Sequence, residues 1–471
     1  MAAPQVFDVV LFGATGFTGR LTALYLSRRA AALGGFTWAL AGRSLAKLEQ
    51  LRLELGPAHA ALPLIEAGAD AAGAAAVASR ARCVLSAAGP FALCGEPLVA
   101  ACAARGVHYA DATGETHWVA DMETKYGAAA RASRAILVPL AGFDSVPSDV
   151  GALHCVATAR RRGARLARLT AVASVKGALS GGTVATAANM SADARARAAA
   201  ADPLLLVPGS TRAAREALVA PLPDGEWPTR VRALGELAWT QPHLMAAINT
   251  RVVRRSAALF AIHGEALAAA AARSPVLADA LHAPSGGAGG ASSYAFSAPG
   301  AAFAYRERAL ARSWLAALSS TLLSSIVGLA LTPSVAPLVR RFLPKPGEGP
   351  SDAQIRRNSF RLFFVGERAD GGPDVLTCVS GGDPYLATAQ SLAETGLLLA
   401  EAARTHKEDE LPAAAFGFGF LTPATALGLR LLERLRDAGA LRVDEYASTE
   451  AAAAAVDAPL RNNVLPRRKR A

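Results

Sequence analysis

The chain has 471 residues, 52% of them hydrophobic and 18% charged, and carries a formal net charge of +11. That length supports two or more domains with sizeable cores, and that composition excludes a disordered chain. The positive balance permits phosphorylated ligands or anionic lipid; it is mostly arginine in an alanine-rich chain, the usage that GC-rich coding produces, and no nucleic-acid partner is expected.

Short apolar runs alternate with Ala/Leu-rich helical stretches over residues 6–150, the pattern of βα units in a parallel sheet. The predicted strands are Val6–Phe12, Trp38–Gly42, Cys83–Ala87, His108–Asp111 and Ala135–Leu140. Between the first of them and a helix stands Gly13-Ala14-Thr15-Gly16-Phe17-Thr18-Gly19. A tight turn there aims unpaired N–H groups and the positive end of a helix dipole at one spot, which suits the pyrophosphate of a dinucleotide. The second strand ends in Gly42-Arg43-Ser44, where an NAD enzyme would place Asp or Glu on the ribose 2′-hydroxyl. Arg43, with Ser44 and Lys47, instead suits a 2′-phosphate, so NADP(H) is favoured over NAD(H). Ser86 to Phe91 ("SAAGPF") follows the fourth strand, and its Ala87, Ala88, Gly89 and Pro90 let backbone approach the cofactor across the switch point.

Beyond residue 150 the texture changes. Leu169–Val175 reads as a strand, residues 282–293 as a Gly/Ser loop, and Tyr294–Tyr305, Phe360–Val365 and Val375–Val379 as strands of a second sheet. Pro384–Ala403, opened by Asp383-Pro384, and Pro423–Ala438 are predicted helices. No charge occurs from Ser313 to Val339, and positions 315, 318, 322, 326 and 329 give one apolar helix face. Three readings stay open for 313–339: a core helix, an interfacial lipid-binding hairpin, or a membrane span. Five hydroxyl residues from Ser319 to Ser325, with Pro333 and Pro337, weigh against a span. The chain ends in a basic tail, "RRKR".

The five cysteines, at 83, 94, 102, 155 and 378, form no CxxC pair and no Cys/His group with zinc spacing, so a reducing, cytoplasmic setting and no metal are expected. A strand starting at Val6 leaves no room for a signal peptide. None of the seven tyrosines has lysine four residues later, which disfavours short-chain dehydrogenase chemistry.

His108 to Glu115 ("HYADATGE") and Ala141 to Asp149 ("AGFDSVPSD"), with the glycine turn and "SAAGPF", resemble the saccharopine dehydrogenase-like oxidoreductases. "FLPKPGEGPS" from Phe342, "SGGDPY" from Ser380 and "FLTPATALG" from Phe420 resemble, more narrowly, the branch of the trans-acting enoyl reductases and lipid-droplet-associated relatives. The resemblance implies an α/β protein in which a Rossmann domain, a doubly wound parallel sheet (1–150), is followed by a second α/β domain with a mixed sheet (151–383). It further implies C-terminal helices returning to the first domain (384–445), ahead of a tail (446–471). It implies an NADPH-dependent reductase of a C=C bond in a lipid or polyketide-type substrate, at a membrane or lipid-droplet surface that 313–339 could meet. A homodimer is a further expectation. Amino-acid imine reduction and NADP binding without turnover are the rival readings.

Hydride transfer to an enoyl thioester or ester leaves an enolate that needs hydrogen-bond donors and then a proton. Tyr109, Asp144, Ser145 and Lys176 are the candidates for that work. Each also has an ordinary role open to it: Asp144 and Ser145 as a turn cap, Tyr109 as core, Lys176 as the decoration of a strand end. Thr183, in a Gly-Gly-Thr turn, could donate to substrate or cap a helix.

Overall fold

The structure, a computed structural model, describes residues 5–177, 193–223, 227–281, 294–297, 300–330 and 348–458. Thr183, the 282–293 loop, residues 331–339 and the RRKR tail lie outside them.

A seven-stranded, wholly parallel sheet runs β12-β6-β5-β4-β1-β2-β3. Its strands are β1 (Phe7–Phe12), β2 (Trp38–Gly42), β3 (Leu64–Glu66), β4 (Ala81–Ser86), β5 (His108–Asp111), β6 (Ile136–Val138) and β12 (Gly419–Phe420). All six residues of β1 are buried, the mark of a strand covered by helices on both faces. Strand order reverses between β1 and β4, where Phe12 pairs with Ser86, so the loops after these two strands open a crevice. The short β3 carries too few apolar residues to be read from the sequence.

The second sheet is mixed, in the order β13-β11-β10-β7-β9-β8. It comprises β7 (Leu166–Lys176), β8 (Trp239–Gln241), β9 (Ala304–Ala311), β10 (Ser359–Arg368), β11 (Val375–Gly381) and β13 (Leu441–Tyr446). The predicted strand Tyr294–Tyr305 is displaced: the strand begins at Ala304, while Phe296 and Phe303 pack edge-on, centroids 5.2 Å apart, and Phe260 joins them. Aromatic packing rather than ladder pairing is what made that stretch apolar. The Val146–Arg161 helix joins the two sheets, buried from Val146 to Ala159.

Two further expectations change. The helix predicted over Pro423–Ala438 is two helices, Pro423–Leu427 and Leu429–Asp437, broken at Gly428 with φ 61°. The expected tail from 446 begins with ordered structure, the end of β13 and a helix over Thr449–Asp457. The Pro384–Thr405 helix packs on β1, β4 and β5 and on the Phe17–Leu33 helix, returning the C-terminal part to the first sheet. No helix among the described residues is long and apolar enough to cross a membrane.

Candidate active site

The three glycines of the turn do different jobs. Gly13 has φ 74°, and a Cβ there would lie 2.7 Å from the Ala88 backbone nitrogen, so the β1 and β4 loops touch through it. A Cβ on Gly19 would collide with the Gly13 carbonyl oxygen, and Ala14 is buried beside it. Gly16 is the exception: its Cβ would meet only the Gly13 carbonyl oxygen at 3.4 Å and the Ala87 oxygen at 3.9 Å. Nothing in the protein demands glycine at 16, whereas a pyrophosphate lying on the backbone would. Thr15 is exposed, and Phe17, Thr18 and Gly19 open the helix, whose first-turn N–H groups lack intrahelical acceptors.

Across the crevice, Ala87 to Pro90 form an open loop with Gly89 exposed and a cis Gly89–Pro90 bond. Glu115, 2% exposed, accepts the N–H groups of Phe91 and Ala92, each at 2.8 Å, and so ties this loop to the end of β5. Arg43 and Lys47 are exposed at the end of β2, and the Ser44 hydroxyl makes no capping bond although it occupies the N-cap of the Leu45–Leu55 helix. These three form a basic, hydroxyl-bearing rim of the kind a 2′-phosphate needs. Glu66, which the sequence reading missed, faces the same rim and accepts from the Leu45 N–H at 3.3 Å.

The candidates for proton chemistry separate. Tyr109 is buried in the sheet core, and its hydroxyl donates to Asp111 at 2.9 Å. That hydroxyl is committed inside the fold, which corrects its assignment as a donor to substrate. Burial pushes the Asp111 carboxyl up to about 7, against hydrogen bonds from the Thr113 N–H, the Tyr109 hydroxyl and the Leu140 N–H. Leu140, held at φ 63°, is a strained turn that redirects the chain after β6. Lys176 is exposed at the last position of β7, opposite Ser359 in register, and precedes Gly177, where a Cβ would lie 3.4 Å from the Pro384 ring. No described contact joins it to Asp144.

Asp144 and Ser145 lie just before the Val146–Arg161 helix, with Asp144 half-buried. An Asp144 carboxylate oxygen is 3.9 Å from where Gly114, just past β5, would carry a Cβ, and Ile248 closes the same spot. Burial pushes the Asp144 carboxyl up to about 6, partly offset by the charge of His243. Ser145 is fully buried, and its hydroxyl has no hydrogen-bond partner among the described residues, so the expected turn cap is not made. A bare cradle at Gly16 and a basic rim at Arg43 together fit a phosphorylated dinucleotide.

Sheet order, turn and rim define a dinucleotide-dependent oxidoreductase of the Rossmann class. Residues 9–138 match the saccharopine dehydrogenase NADP-binding domain. A protein of Mycobacterium tuberculosis (strain ATCC 25618 / H37Rv), named as a candidate trans-acting enoyl reductase, is 37% identical over 456 residues, covering 93% of this chain and 97% of that one. The trans-acting enoyl reductase of Mycobacterium ulcerans (strain Agy99) is 33% identical over 459 residues, with the same coverage. The apo saccharopine dehydrogenase (L-Glu forming) of Saccharomyces cerevisiae is similar in structure, with 12% identity, a TM-score of 0.45 and coverage of 93% and 99%. The chain belongs to the saccharopine dehydrogenase-like oxidoreductases, in the branch with the trans-acting enoyl reductases, and is an NADP-dependent oxidoreductase.

Proposed function

We propose that this oxidoreductase reduces a polarised C=C bond of a lipid or polyketide-type acyl chain. The observation that carries the reading is identity of 33–37% over nearly the whole length to proteins named for enoyl reduction. Bound NADPH supplies a hydride to the β-carbon of such a chain. The glycine turn and the Ala87–Pro90 loop would hold the pyrophosphate, and Arg43 with Ser44 and Lys47 would hold the 2′-phosphate. Asp144, a carboxyl pushed up to about 6, retains a protonated fraction near neutrality and gives its proton to the α-carbon as the enolate collapses.

An interfacial position for the Trp314–Ala330 helix supports a lipid substrate. Trp314, Leu315 and Leu322 are exposed, at 47%, 70% and 56%, and only Ala317 among residues 314–322 is buried. A core helix would hide these side chains; a helix resting on lipid uses them.

The test is NADPH oxidation with a series of 2-enoyl thioesters from short to long chain, using NADPH deuterated at the transferable position. Reduction with deuterium at C3 of the product is the expected result. Binding of NADPH without oxidation across the series would overturn the reading. Turnover of amino-acid and 2-oxo-acid pairs instead would move the chain to imine chemistry.

A further inference from the structure

We propose that Gly349 and Tyr385, from two stretches far beyond the first domain, clamp the Phe17 ring and so position the N–H groups that meet the cofactor pyrophosphate; this rests on the dinucleotide site described above and holds whatever the substrate. Phe17 follows Gly16 and is the first residue of the Phe17–Leu33 helix. The Arg20 N–H bonds to the Gly16 carbonyl at 2.8 Å, which leaves the Phe17, Thr18 and Gly19 N–H groups without a backbone acceptor among the described residues. Phe17 thus carries one of the donors of the turn on its backbone and, on its side chain, the means of orienting them.

Two segments meet that ring. A Cβ on Gly349 would run into Cζ and both Cε atoms of Phe17, and the backbone of Gly349 lies outside the left-handed region, so the ring and not the conformation calls for glycine. Tyr385 meets the same ring edge-on, with centroids 5.3 Å apart and planes at 83°, a favoured aromatic geometry. Both holders are themselves fixed. Asp383, 1% exposed, accepts the Tyr385 N–H at 2.8 Å and the Asn358 side-chain amide at 2.7 Å. Asn358 stands just before β10, and its own N–H bonds to the Gln354 carbonyl at 2.9 Å. Gln354 in turn exchanges hydrogen bonds with Ser351, and Pro350, between that capping box and Gly349, is buried.

Neither Phe17 nor Tyr385 belongs to the apolar cores of the two sheets among the described residues, and both are half-buried. Packing of the sheets therefore does not require this pair of rings. Cofactor contacts need their backbone donors held by a rigid supporting layer, and the start of β10 supplies it through one side chain. Because the turn meets the pyrophosphate, the clamp acts on the part that NADPH and NADH share.

The test is titration calorimetry of the full chain with NADPH and with NADH, run below the melting temperature of each variant. Gly349→Ala and Tyr385→Leu should each weaken both cofactors by the same factor, about fivefold or more. Tyr385→Phe keeps the ring and should stay within about twofold of wild type. In a Phe17→Leu background, where the ring is gone, Gly349→Ala should cost no further affinity. Wild-type affinity in a folded Gly349→Ala or Tyr385→Leu protein overturns the clamp. A loss confined to NADPH overturns it as well, since that belongs to the 2′-phosphate rim, and so does a Gly349→Ala loss that persists undiminished when Phe17 is replaced. Should Gly349→Ala not fold, the contrast between Tyr385→Leu and Tyr385→Phe decides in the same way.

Discussion

Single residues at the crevice carry separable roles, and substitution separates them. Gly16→Val places a side chain where the protein leaves space, so NADPH binding should be lost while the melting temperature stays near wild type; titration calorimetry beside a thermal melt tests both at once. Gly19→Ala should do the opposite and lower the melting temperature first, because its Cβ meets the Gly13 carbonyl oxygen. Arg43→Asp should weaken NADPH by about tenfold, the scale of a charge-assisted bond at an exposed site, and NADH far less. Equal losses for the two cofactors would remove Arg43 from the 2′-phosphate site. Glu66 places a negative charge on the N-terminus of the same helix, and Glu66→Gln should tighten NADPH selectively.

At the scale of elements, the break between the Pro423–Leu427 and Leu429–Asp437 helices rests on one residue. Gly428 sits at φ 61° and ψ −149°, and a Cβ would run into the Ala280 carbonyl oxygen. Gly428→Ala should destabilise the protein by about 2 kcal/mol or more, measured by denaturant unfolding. A neutral result would mean that the neighbouring chain moves aside. The Trp314–Ala330 helix is tested through its outer face. Leu315→Asp with Leu322→Asp alters exposed positions, so folding should survive while flotation with phosphatidylglycerol vesicles falls. If wild type and double variant float alike, the face has no part in lipid contact.

Over the whole molecule, one buried carboxylate ties three helices together. Asp149, in the Val146–Arg161 helix, accepts the Ser256 hydroxyl at 2.5 Å and the Ala424 N–H at 2.8 Å, and Ser256 lies 2.6 Å from Thr422. Burial pushes its carboxyl up to about 7, against those hydrogen bonds, while the unfolded chain keeps the ordinary value near 4. Between these limits the folded state binds more protons than the unfolded one. The contribution to stability is thus full below about pH 4 and is lost as pH rises through about 7. Asp149→Asn removes the titrating group and should flatten that part of the melting-temperature profile between pH 4 and 8. An unchanged slope would place the dependence on Asp111 and Asp144, which are shifted the same way.

The sequence by itself determined the parallel sheet, the dinucleotide turn and the NADP-type rim, because each is local: a buried strand, three glycines and an arginine at fixed spacing need no distant partner to be read. It also marked Asp144 and Ser145 through a short motif. It did not reveal that the Tyr109 hydroxyl is committed to Asp111, that Glu115 fastens the β4 loop, or that Gly428 splits a helix. Gly349 and Tyr385 stand in stretches that the sequence sets apart, "FLPKPGEGPS" and "SGGDPY", yet nothing in either says that both meet Phe17. Only the tertiary structure decided that. The meeting arises where the Pro384–Thr405 helix and the segment before β10 come back to the Phe17–Leu33 helix, and contacts made across such separations leave no trace in local pattern.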